Sequence, residues 1–179
     1  MNLQRIGMLA GVILSTSTLL ANFGYAQSGP NPDNPVGKVI ALTGSAHLEH
    51  PAAILVTANL PNDNAASKVG DLVYRGDVVQ TGPNSTLSIT FADGSSFNVS
   101  ANAKMAVNEF VYEPNGHSNS SLMSLTKGTF TVIAGNIAHT GDMKVDTPVG
   151  TMSIRGTAPR VEILEDGTTK FSTLIERKK

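Results

Sequence analysis

The sequence predicts an all-β fold: one domain of short antiparallel strands, built as a curled sandwich or a short β-solenoid-like coil. Three observations carry this. From Val36 onward no stretch of about 12 residues keeps a helical period. Apolar and polar residues alternate instead, most clearly in Leu87-Ser88-Ile89-Thr90-Phe91. The rhythm returns in Phe97–Val99, Phe130–Val132, Met143–Val145, Met152–Ile154 and Val161–Ile163, and Gly, Asn, Asp and Pro punctuate it at short intervals.

Composition narrows the class. A length of 179 residues allows one domain and excludes an elaborate multidomain enzyme. Charged residues make up only 15%, below the roughly 25% of an average chain, which argues against a disordered chain or a coiled coil. The 13 Lys and Arg against 14 Asp and Glu give a net charge of −1. A nucleic-acid binder normally carries a basic patch or stripe, so no nucleic-acid partner is expected. There is no Cys and no Trp. Disulfides, thiol nucleophiles, iron–sulfur clusters and cysteine zinc sites are therefore excluded.

The chain divides into four parts. Residues 1–26 read as a secretory signal peptide: Arg5, an apolar run from Ile6 to Leu20, then small residues Gly24 and Ala26 before a cleavage site after Ala26. An uncleaved anchor is the alternative, but the run is short for a span and Ser15–Thr18 dilute it. No later stretch is apolar enough to span a bilayer. The expected location is therefore periplasmic or secreted, with no membrane span after cleavage. Gln27–Pro35 carries three Pro and one Gly and reads as an extended linker. Residues 36–175 form the β domain, and a core of apolar side chains must hold it without disulfides. About 150 residues suffice for that. Glu176–Lys179 is a short basic tail, too small for a lipid-binding patch.

Within the β domain, two hairpins can be registered. A three-residue loop at Ala92-Asp93-Gly94 pairs Ile89 with Phe97 and Leu87 with Val99, so all four apolar residues share a face. A two-residue loop would split them. Gly94 then takes the left-handed position of a bulge. Glu165-Asp166-Gly167 behaves alike, pairing Val161 with Phe171 inside and Glu162 with Lys170 outside. Ala52–Ala66 reads as a strand and a long turn, and Glu113–Ser121 as a plain exposed loop. A faint echo links the segment from Gly76-Asp77 to Ile89 with that from Gly141-Asp142 to Ile154, as if two coils stacked.

Gly70-Asp71, Gly76-Asp77, Phe91-Ala92-Asp93-Gly94, Gly128-Thr129-Phe130, Asp146-Thr147-Pro148 and Arg155-Gly156-Thr157 follow one another in a recognisable order. That order resembles the FecR domain, a periplasmic β domain named after the ferric citrate signalling regulator. The resemblance runs from about Val36 to Phe171. It implies an all-β fold, an envelope location and work done through protein contacts. In the regulators, the domain passes a signal from an outer-membrane transporter to a sigma factor. Here only five residues precede the apolar run, and no receptor-binding lobe is evident after Phe171. The resemblance therefore implies a free-standing exported relative, a protein-interaction or sensing module with a protein partner in the cell envelope. A structural or adhesin-type envelope component, or a polysaccharide or small-ligand binding domain, are the rival readings.

The motif residues have a physical reading of their own. Gly permits tight bends, and Asp accepts hydrogen bonds from turn amides. Gly70, Asp71, Gly76, Asp77, Asp93, Gly94, Gly128, Pro148, Gly156 and Gly167 are thus expected to shape turns and corners rather than catalyse. The one dense group of ligand-type residues is His47-Leu48-Glu49-His50. On a strand, His47 and Glu49 share a face and His50 opposes them. A metal site needs further converging ligands. No G-x-S-x-G and no phosphate-cradling loop occurs, and no acid pair stands out from turn usage. The expectation is a non-enzymatic domain without a catalytic, metal or cofactor site.

Overall fold

The computed structural model describes residues 34–51, 66–156 and 158–173. The signal peptide, most of the linker, the segment 52–65, Thr157 and the basic tail lie outside the described residues.

The described residues form twelve strands: β1 Gly37–Thr43, β2 Ala46–Glu49, β3 Leu72–Val73, β4 Val78–Thr81, β5 Thr86–Phe91 and β6 Ser96–Val99, followed by β7 Lys104–Val111, β8 Asn119–Ile133, β9 Gly141–Thr147, β10 Gly150–Ile154, β11 Pro159–Ile163 and β12 Thr169–Thr173. One helical turn, α1, covers Ile137–Thr140. All six alternating runs lie in strands. The hairpin registers are those of shared apolar faces: Ile89 opposes Phe97 and Leu87 opposes Val99, all four buried. Val161 opposes Phe171, and Glu162 opposes Lys170.

The sheet is folded over on itself. One layer runs β3-β1-β5-β6-β8-β11-β12, and the other runs β2-β4-β7-β8-β9-β10. Strand β8 belongs to both. Its first part, Asn119 to Lys127, pairs with β7 and β9, and Gly128 to Ile133 pairs with β6 and β11. Three other corners lie beside it, between β1 and β2, β4 and β5, and β6 and β7. Hydrogen bonds run along this row: Ser45 N–H to Ser85 Oγ at 2.9 Å, Gly82 N–H to Ser45 O at 2.9 Å, Asn102 N–H to Gly82 O at 3.1 Å and Ser100 N–H to Thr129 O at 2.9 Å. The architecture is the curled sandwich rather than the stacked coil.

Chain length makes the bend in β8 obligatory. Fifteen extended residues would reach about 45–50 Å at roughly 3.3 Å each. Yet β9 starts beside Asn119, parallel to β8, after only Ala134–Asn136 and α1. A connector with one helical turn spans roughly 20 Å at most. Strand β8 must therefore double back, and it does so at Gly128, where φ is +98° and a Cβ would stand 2.3 Å from Ala103 Cβ. The β8–β9 pair is the one parallel pair among the described strands.

The two layers enclose one core. Phe91 and Phe97 of the first layer meet edge to face at 5.5 Å, and Phe91 stacks on Phe110 of the second at 5.4 Å. Leu87, Ile89, Met105, Met123, Phe130 and Val161 fill the space around them. Each such side chain contributes about 1.5–3 kcal/mol by leaving water.

Three expectations need correction. Phe171 is not inside: it is 48% exposed, on a strand that pairs with β11 alone among the described strands. The echo is not a structural repeat, since β4 and β5 lie in different layers whereas β9 and β10 form a hairpin. The segment Glu113–Ser121 is not all exposed loop. Strand β8 begins at Asn119, which is buried.

Candidate functional site

The motif acids build two kinds of turn, each used twice. In Lys68–Asp71 and Tyr74–Asp77, the Asp N–H donates to the carbonyl three residues earlier at 3.2 Å. The Asp carboxylate accepts that same residue's N–H, at 2.8 Å from Lys68 and 2.7 Å from Tyr74. Gly70 and Gly76 supply the positive φ that closes each turn. In the hairpins at Asp93-Gly94 and Asp166-Gly167, the carboxylate reaches forward, accepting N–H from Ser95 and Thr168 at 2.9 Å each. The Thr168 bond holds the exposed Asp166 carboxyl below its ordinary range.

Two of these acids are fully buried and do more than close a turn. Asp93 Oδ2 also accepts N–H from Ile137 at 3.2 Å, tying the first hairpin to α1. Gly135 fits between them because any side chain there would strike Asp93 and Ser95. Asp77 Oδ1 lies 2.9 Å from Nδ1 of His50, whose ring meets Tyr74 edge-on at 5.5 Å. Burial pushes the Asp77 carboxyl above its ordinary range, although the Tyr74 amide and His50 pull it back. His50, the residue after β2, thus turns inward to Asp77, while His47 and Glu49 face solvent and Glu49 accepts from Gln80 Nε2 at 3.0 Å. Sequence reading missed this His50–Asp77 pair, which joins residues far apart in the chain. The opposed face of His50 was the one signal of it in the sequence.

The remaining motif residues are dispersed. Gly128 marks the bend in β8, Pro148 stands in the β9–β10 turn, and Gly156 follows β10 against His139. Gly167 closes the β11–β12 turn, its N–H donating to Leu164 O at 3.0 Å. Asp142 pairs with Lys144 at 2.6 Å, which raises the Lys144 ammonium above its usual range. Asp146 accepts from Thr151 Oγ1. Among the described residues, no three His, Asp or Glu side chains converge as a metal site would require.

Concavities open on the surface of the described residues. A polar groove of about 410 Å³ lies beside the bend, lined by Asn102, Lys127, Thr129, Glu162, Leu164 and Glu165. A shallower apolar one of about 230 Å³ lies by Val36, Leu72 and Phe91 at the β3 edge. Exposed Ile40, Val69 and Leu72 surround that edge. Among the described residues, no helix is long and apolar enough to cross a membrane.

A bent β-sandwich whose Gly-Asp motifs close turns places the chain in the all-β class. The comparison with known families is more specific: the FecR protein family matches residues 77–175. The chain belongs to that family, a regulatory one associated with signalling. The match starts at Asp77, so β1 to β3 precede it, although β1 and β2 pair into both layers. No curated protein and no solved structure matches the chain.

Proposed function

We propose that this chain is an exported FecR-family domain that serves as a protein-interaction or sensing module in the bacterial cell envelope, periplasmic or secreted. Family membership is the observation that carries this reading. The order of residues 1–26, with Arg5, an apolar run and Ala26, supports export. The acids support a binding rather than catalytic role, since those of the motifs are engaged in turns. The partner in this reading is a protein.

Cell fractionation and N-terminal sequencing test export: the mature chain should begin at Gln27 in the periplasm or medium. Retention in the cytoplasm with Met1 in place would refute it. Pull-down of the tagged chain from envelope extract tests the role. One stoichiometric protein is expected, whereas retention on bulk envelope without a defined partner would favour a structural component. The polar groove favours a ligand-binding reading in second place. A melting shift with envelope polysaccharide, and none with protein extract, would support it.

A further inference from the structure

Strand β12 pairs on one side only, with β11, among the described strands. It ends a continuous apolar row that crosses six strands through Leu42, Leu87, Val99, Phe130, Val161 and Phe171. The middle four are buried, and the last stands 48% exposed on the core-side face of an edge that is unpaired among the described strands. We propose that β12 is the contact through which two copies of this chain pair, antiparallel and centred on Phe171, continuing the first layer across a two-fold axis.

The sequence of the strand fits a self-pair. Centred on Phe171, Thr169 opposes Thr173 and Lys170 opposes Ser172 of the second copy, with the two Phe171 rings side by side. No like charges face each other. Lysine on an edge normally repels a second strand, but Glu162 already opposes Lys170 within the chain. The strand has no Pro, and its register with β11 has no bulge. The other long free edge, β10, offers less: Ile154 is buried, Met152 half-buried, and only Thr151, Ser153 and Gly150 are exposed. Two rings and one short strand fall below the roughly 1,200–2,000 Å² of a stable interface, so the pair is weak and concentration-dependent. This inference rests on the edge itself and not on the proposed envelope role.

Sedimentation velocity of the purified chain from about 1 µM to about 1 mM tests it, that range spanning weak affinities. The wild type should shift from monomer toward dimer. Phe171→Glu should raise the dissociation constant about tenfold or more. Ser172→Lys, which sets a second ammonium against Lys170 of the other copy, should do the same without altering the core side. The chain has no Cys, so Phe171→Cys gives a clean crosslink. Opposed Cα atoms about 4.5–5.5 Å apart suit a disulfide, and oxidation should yield a covalent dimer. Thr151→Cys on β10 should not. A wild type that stays monomeric throughout, dimers untouched by both charge variants, or equal crosslinking at Thr151→Cys would each overturn the proposal.

Discussion

Replacing Gly128 with Ala tests the bend on which both layers depend. Two costs add. A non-glycine residue at φ +98° carries strain of about 1–3 kcal/mol. The new Cβ would also stand 2.3 Å from Ala103 Cβ and 2.5 Å from its Cα, and such overpacking costs about 1–3 kcal/mol. Gly94 separates the two, since its φ is +82° but a Cβ there meets nothing within 4 Å. Gly94→Ala should therefore cost about 1–3 kcal/mol and Gly128→Ala about 2–6 kcal/mol. At about 2–4 °C per kcal/mol, the second change lowers Tm by roughly 10 °C. Urea denaturation with linear extrapolation measures both. Adding Ala103→Gly to Gly128→Ala relieves the clash with the methyl group but leaves the one with the backbone, so it should recover about 1 kcal/mol. A Gly128→Ala protein no less stable than Gly94→Ala would refute the reasoning.

Other outcomes follow from single side chains. Thr81 Oγ1 accepts from Ala103 N–H at 3.0 Å and donates to Ser100 O at 2.6 Å across a corner. Thr81→Val leaves that amide without its side-chain acceptor and should cost about 1–3 kcal/mol in denaturation. Phe97→Ala empties a fully buried site and should cost about 3–5 kcal/mol by calorimetry. Asp77 binds its proton more tightly folded than unfolded. Stability should therefore fall as pH rises from 3.8 through the raised folded value, because the folded state holds the extra proton only below it. Asp77→Asn should flatten that part of the stability–pH curve, and an unchanged slope would contradict the assignment. Asn119 accepts from Glu113 N–H at 2.8 Å and donates to Glu113 O and Thr140 Oγ1. Asn119→Ala should speed amide exchange in the Glu113–His117 loop.

Strands were legible where alternation and turn chemistry agreed. At Leu87–Val99, only the three-residue loop put all four apolar residues on one face, and Gly94 suited its left-handed position. The first part of β8 was hidden for a physical reason. Its inward positions include Asn119 and Ser121, both buried polar residues, so the alternation that marks a strand is absent there. The bend was hidden too. Leu125 and Phe130 both face the core, five residues apart across the bend, with Thr126 as an extra residue in the β7–β8 register. A lone Gly within that break was the only local sign. Parallel pairing of β8 with β9 is set by the length of the connector and the shape of the whole sheet, which no local pattern records. Phe171 shows a further limit: register fixes which face a side chain takes, not whether another layer covers it. The Gly-Asp motifs revealed their turns but not the burial of Asp77, since His50, just past the end of β2, reaches it from a distant part of the chain.

Strand β8 working in two layers at once is tested most directly by nuclear Overhauser effects along its length. Backbone protons should link Ser121 to Met143 in the first part and Thr131 to both Asn98 and Arg160 in the second. A β8 whose two parts share the same neighbouring strands, or that shows no Overhauser effect between Ser121 and Met143, would contradict the folded-over sheet.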